Sequence, residues 1–549
     1  MKITLLALSL LLPLVAQERV DQSTDAKMRS EELEHSQIMH TLHMLTDRYG
    51  PRVTGTPNHE LAAKWAADQM TQWGLKNAHL EPWEFGHPGW LNEFASGHID
   101  SPVRENIKFE VLAWTPSTPG KVVASAVQMI PPQGPVPTTE PAAGGGRGGG
   151  RGAAPARLGP LKTELDQWIA ANQGKVRGKI VFIGKAAVVP VNFDPPAKRR
   201  PDDQVKAQFD AINPVAGAGR GGNTPPAEDP MRYTPNEANA KVDAMLVAGG
   251  AAVRINDAGR ADGIIVAQQH RGYDPTTAVP TVVLRNDDFG RVERLMADGD
   301  EVKLDFEIAN HIYPEGKTSY NTIGEIPGTD KASELVMLGG HLDSWHGGTG
   351  ATDNAIGCSI MMEAARLIQN SGVKPRRTIR VALWSGEEEG LLGSIAYVRA
   401  HFGTAEDPKP EWSKLDAYFN VDSGTGRLRG ATIFGPAEAA ALLRPVFAQF
   451  QDWGFAGAIT TTSRAVGGTD STSFNNAGLP GIGLQQDPIE YNTMTHHTNL
   501  DTYERIIPDD VQKAAAIVAA GVLHVANRDE MVPRFPKDKM PAPVKIRDF

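Results

Sequence analysis

The chain of 549 residues is too long for one compact core and implies two or three domains. Its 55 basic and 65 acidic residues, a formal charge of −10, argue against a nucleic-acid surface, which shows a basic excess. Its single cysteine, Cys358, excludes an internal disulfide and reads most simply as a small buried hydrophobe on a helix.

At the start, Met1-Lys2, the apolar run Ile3 to Val15 and the small Ala16 read as an export signal over residues 1–17. An uncleaved anchor is the alternative, although the run is short for a membrane span and no later segment is apolar enough for one. The expected location is periplasmic or secreted. Asp21 to His35 is polar and reads as a helical or frayed lead-in. Apolar residues at Ile38, Leu42, Met44 and Leu45 suit an amphipathic helix. Tyr49-Gly50-Pro51-Arg52 breaks that pattern, a helix follows over Asn58 to Trp73, and Val111 to Trp114 reads as a strand.

Residues 116–310 have a different character and read as an inserted, β-rich domain. Strands are expected at Lys121–Ile130, Lys179–Ile183, Ala252–Asp257, Gly263–Ala267, Val279–Leu284 and Glu301–Ile308, with a helix at Lys241–Gly249. Two Gly/Pro-rich stretches, near 131–160 and 190–230, lack the residues to bury a core and are expected as disordered loops. The first contains GGGRGGGRG, read as a spacer rather than an RNA-binding tract.

From Ser319 strands and helices alternate regularly. Strands are expected before His341, at Thr378–Trp384, Ala417–Val421 and Ile482–Leu484. Helices are expected after Asp353, at Leu391–His401, Ala437–Phe450 and Pro508–Val525, followed by a Pro- and charge-rich tail. Repeated βα units imply an α/β fold whose mostly parallel sheet is covered by helices.

The acids and histidines that follow strand-like runs are His341, Asp353, Glu387, Glu388, Asp422 and His497. Open α/β sheets bind ligands beyond the carboxyl ends of their strands. Three carboxylates and two imidazoles suit a pair of zinc ions if one carboxylate bridges, and a further glutamate could carry a proton from water to the leaving amine. Singly, each has a plain reading. HLD is a weak signal, acids favour a helix start, Asp422 suits a turn, and His496-His497 suits a surface pair. Their common place after successive strands favours a site.

Together GGHLDSW, GATDNA, WSGEEEGLLGS, NVDSG and HHTNLDTYE resemble the co-catalytic di-zinc exopeptidases of the aminopeptidase and carboxypeptidase Q type. The resemblance covers about residues 36–115 and 319–525. It implies the zinc exopeptidase (phosphorylase/hydrolase-like) fold, a discontinuous peptidase domain over 30–115 and 311–528, and a tail over 529–549. For 116–310 it implies a protease-associated insert, on the cues GKVRGKIVFI and AVPTVVL.

Carried over by residue, the resemblance implies two Zn2+ per chain. His341 and Asp422 would hold one ion, Glu388 and His497 the other, and Asp353 would bridge them, with Glu387 as general base and then acid. Asp343, two residues after His341, is a candidate to orient its imidazole. Asp470 in GGTDSTSF matches a family aspartate near the site, while Ser471 replaces the usual histidine after it. His496 stands where relatives carry a tyrosine that touches the oxyanion. Glu389 reads as a solvated acid, and His346 departs from a common aspartate with no assigned role.

The implied activity is exopeptidase cleavage of short peptides by metal-activated water, as an aminopeptidase or dipeptidase. The alternatives are a carboxypeptidase of the same family, a glutaminyl cyclase and a receptor-like binding protein without catalysis. A homodimer is a further expectation, since relatives of this kind commonly dimerise.

Overall fold

The computed structural model describes residues 18–135, 158–191, 199–212, 229–270, 272–465 and 468–544. The expected signal at 1–17 and most of the first Gly/Pro stretch lie outside these residues. Among the described residues no helix is long and apolar enough to cross a membrane.

Two eight-stranded sheets organise the chain. The first runs, in spatial order, Lys76–Glu84, Thr318–Ile326, Arg377–Trp384, Lys331–His341, Leu415–Val421, Gly481–Gln486, Leu428–Phe434 and Gly457–Thr461. The four strands from Arg377–Trp384 to Gly481–Gln486 are mutually parallel. Antiparallel pairings occur only toward the two edges. This is the mostly parallel α/β sheet expected.

Alternation along the central strands sends neighbouring residues to opposite faces. Val336 and Leu338 join one core with the helices Ile356–Ser371 and Pro508–Asn527. Leu335 and Met337 join another with Tyr397, Val398 and Phe474, from the helices Leu392–His401 and Ser471–Asn476. The helix Ile356–Ser371 is buried from Ile356 to Ile368, which is why its sequence is apolar nearly all round. Because the central strands share one direction, Trp384, His341, Val421 and Gln486 end on the same rim of the sheet.

The second sheet runs Glu105–Asn106, Gly89–Ser101, Lys303–Tyr313, Val122–Met129, Ile180–Ile183, Val253–Asp257, Thr281–Leu284 and Phe109–Val111. Three of these strands precede residue 116, so the second sheet draws on chain that the sequence reading gave to the peptidase domain. An aromatic core lies where the two sheets meet. It includes Trp90, Trp114 and Phe306 from the second sheet's unit and Val53, Phe85 and Trp345 from the first's.

Several local expectations need correction. Gly263–Ala267 is not a ladder strand but makes a single bridge, Val266 to Thr498. The second Gly/Pro-rich stretch contains the helix Asp202–Gln208. Its docking is tertiary: Val205 and Phe209 are buried, and the Phe209 ring occupies the place a side chain at Gly430 would take. Asp202 also pairs with the buried Arg429. Composition does not reveal such contacts. The start of the tail is likewise packed, with Val532 buried and its N–H donating to Asp416.

Candidate active site

The strand Lys331–His341 delivers His341, fully buried, at its last position. The imidazole Nδ1 lies 3.0 Å from the backbone oxygen of Asp343. A carbonyl only accepts, so Nδ1 carries the hydrogen and the Nε2 lone pair faces the site. The Asp343 carboxylate is farther from the imidazole, 3.7 Å, and is engaged elsewhere. Its Oδ2 accepts from the Glu388 N–H at 3.1 Å and from the Thr54 hydroxyl at 3.3 Å. The main chain of Asp343 therefore orients His341, while its side chain holds the acidic loop.

Asp353 lies between two histidines. Its Oδ1 is 3.3 Å from His341 Nε2, and its Oδ2 is 3.2 Å from His497 Nε2. Asp422, just beyond the strand Leu415–Val421, brings Oδ1 to 3.6 Å from His341 Nε2. Glu388 brings Oε2 to 3.0 Å from His497 Nε2. Glu387 stands back, 4.0 Å from His341 Nε2. The ligand-type atoms of His341, Asp353 and Asp422 lie within 4.8 Å of one another, as do those of Asp353, His496 and His497.

Supporting contacts explain why this loop geometry holds. Asn354 donates to the Val421 carbonyl and accepts from the Gly357 N–H, and a side chain at Gly357 would collide with it. Asp501 accepts the N–H groups of Thr352 at 2.6 Å and Asp353 at 3.1 Å. Arg52, fully buried, donates to the carbonyls of Leu45, Gly50, Leu342, Thr349 and Gly350. Asp501, Arg52 and Thr54 have no role in the sequence reading. Asp501 lies inside HHTNLDTYE, whereas Arg52 and Thr54 act through partners some 290 residues away.

The electrostatics are those of crowded buried acids. Burial lifts the Glu387 carboxyl well above the ordinary carboxylate range; His341 opposes the lift, and Asp422 and Asp470 add to it. Burial raises Asp470 to about 7, with His341 opposing. Burial, followed by the charge of Asp353, raises Asp501 to about 7. Glu389 is a correction: it is 2 % exposed rather than solvated, and burial with the neighbouring Asp343 charge raises its carboxyl. His346 is structural, its Nε2 2.6 Å from the Val111 carbonyl across the two sheets. His270 is buried in the second unit, 3.0 Å from Asp243. His496 stacks on His497 and brings Nε2 to 3.8 Å from Asp353.

These residues fit metal ions. His341 Nε2, Asp353 Oδ2 and Glu388 Oε1 are buried without a hydrogen-bond partner among the described residues. Nitrogen and carboxylate donors are a zinc set, and Asp353 offers one oxygen to each side. A small, half-open cleft is lined by Asp353, Glu388 and His497 and reaches Trp345 and Asp501.

Comparison with known proteins places this arrangement. Residues 321–522 match the model of Peptidase family M28. Carboxypeptidase Q of Rattus norvegicus is 33% identical over 261 residues, 48% of this chain and 52% of that protein, so this match spans about half of the relative's length. Carboxypeptidase Q of Homo sapiens is 26% identical over 493 residues, 90% of this chain and 86% of that protein. Two crystal structures share the fold. A peptidase M28 precursor from Shewanella amazonensis has a TM-score of 0.61 at 23% identity, covering 94% of this chain and 99% of its own. A zinc aminopeptidase from Bacillus subtilis has a TM-score of 0.52 at 17% identity, covering 93% and 98%. The five motifs at the rim of the first sheet all lie within residues 321–522, the stretch that matches peptidase family M28.

Proposed function

We propose that the protein is an exported, zinc-dependent exopeptidase that hydrolyses short peptides as an aminopeptidase or dipeptidase. The observation that carries this reading is the placement of one carboxylate, Asp353, between two histidines, with Asp422 and Glu388 on its two sides. His341 and Asp422 would hold one ion and Glu388 and His497 the other, with Asp353 shared. Bound there, the ions would polarise the scissile carbonyl and lower the pKa of an attacking water. Glu387, close to the ligands without being one of them, would take that proton and return it to the leaving amine. Asp343 and Asp501 would hold the loops that aim these groups. His496, 3.8 Å from Asp353, would donate to a developing oxyanion, and Asp470 would act on the site through the charge of His341.

The relatives named carboxypeptidase Q support a second reading, removal of residues from the carboxyl end. Residues 116–310, which supply most strands of the second sheet, would be a protease-associated insert.

Metal counting and a peptide screen on the purified chain test this reading. About two zinc ions per chain are expected, with cleavage of unblocked dipeptides that chelation abolishes and zinc restores. N-blocked dipeptides should resist. Cleavage of N-blocked but not C-blocked substrates would establish the carboxypeptidase direction instead. Full activity after complete metal removal would overturn the metal reading.

A further inference from the structure

One ligand contact crosses from the second unit into the site. Gln268 places its side-chain amide nitrogen, Nε2, 2.9 Å from His497 Nδ1. Gln268 is itself held in place, since its carbonyl accepts the Ala113 N–H and the neighbouring His270 N–H donates to the Ala113 carbonyl. Around this contact the segment 263–268 clasps the loop that bears His497. The Ile265 N–H donates to Asn499 Oδ1, the Asn499 N–H donates to the Ile265 carbonyl, and Asn499 Nδ2 donates to the Gly263 carbonyl. Val266 bridges Thr498.

His497 needs such a brace. Its backbone has a φ of +60°, a conformation unfavourable for a residue with a side chain. Unlike His341, it meets no carbonyl among the described residues that would fix which ring nitrogen bears hydrogen. Its Nε2 faces Asp353 and Glu388, so coordination through Nε2 leaves the hydrogen on Nδ1. An amide can meet that hydrogen with its oxygen after a half-turn, because its two ends differ only in orientation.

We propose that Gln268 is a positioning residue for the metal centre: its Oε1 accepts from His497 Nδ1 and holds Nε2 on the ion shared with Glu388. The inference rests on the zinc reading above. It also gives the second unit a direct part in the active site, since the brace is supplied from outside the sheet that carries the ligands.

The test measures zinc affinity of the full chain by competition with a chelator, together with melting of the metal-free chain. For Gln268→Leu, one of the two ions should bind about 10- to 100-fold more weakly while the other is unchanged. The metal-free melting temperature should stay at the wild-type value. Gln268→Glu, which keeps an acceptor oxygen, should restore tight binding of both ions. Wild-type affinity for both ions in Gln268→Leu would overturn the assignment. So would a loss in Gln268→Glu equal to that in Gln268→Leu, because packing rather than the acceptor would then matter. A wild-type chain that binds no zinc would remove the underlying reading and this one together.

Discussion

Replacing Glu387 by Gln is expected to lower kcat about 100- to 10,000-fold, the range lost when a positioned general base is removed. Zinc content should stay at the wild-type value. The substitution keeps the side chain's size, and Glu387 Oε2 lies 4.0 Å from His341 Nε2 rather than among the closest ligand pairs. The companion variant Glu388→Gln should behave differently. It weakens a group 3.0 Å from His497 Nε2 and should release one ion as well as lose activity. Steady-state kinetics with metal analysis on both variants separates the two roles. Near wild-type turnover in Glu387→Gln would place the base elsewhere.

The second large effect is expected on stability, from Arg52→Met. The guanidinium is fully buried and donates to five carbonyls in two segments, Leu45 to Gly50 and Leu342 to Gly350. Removing it strands several buried acceptors, each costing about 1–3 kcal/mol, so a loss of at least about 3 kcal/mol is expected. For a domain larger than those of ordinary size that corresponds to a drop of roughly 5 °C in melting temperature. Arg52→Lys should recover only a minority of the loss, because one ammonium cannot reproduce the planar fork. Scanning calorimetry decides the matter; a melting point within about 1 °C of wild type for Arg52→Met would show that the clip is dispensable. The buried cation also faces Asp501 and Asp343, so the same variant should shift the balance of charge behind the proposed metal ligands.

The parts legible in the sequence share a physical reason. The strands that end at His341, Trp384 and Val421 are fully buried near their carboxyl ends, and such strands read as continuous apolar runs. The helix after Asp353 is long and apolar enough to be read beside them. Strands at the margins escape notice. Lys76–Glu84 is an edge strand, largely exposed and containing Pro82, so its residues carry little strand signal. Gly89–Ser101 is polar through much of its length because many of its side chains stay accessible. Glu389 departs from its expected exposure for a different reason. In sequence it is one more acid before a helix, but here it is folded inward beside Asp343, near Tyr273 of the second unit. Arg52 and Gln268 are invisible to any local pattern, since the groups they serve are brought to them only by the complete fold.

The interleaving of the two sheets has a consequence for how the chain is made. Glu84 pairs with Thr318 and Gly89 with Tyr313, so the chain leaves the first sheet and returns to it at adjacent points. Every strand of the second sheet falls between Gly89 and Tyr313, whereas the first sheet has one strand before that interval and seven after it. As the ribosome releases the chain from its N-terminus, all the strands of the second unit are available before Lys76–Glu84 meets its only neighbour. Trp345 reaches the shared aromatic core later still. That order of synthesis allows the second unit to form first and to serve as a platform for the rim of the first sheet.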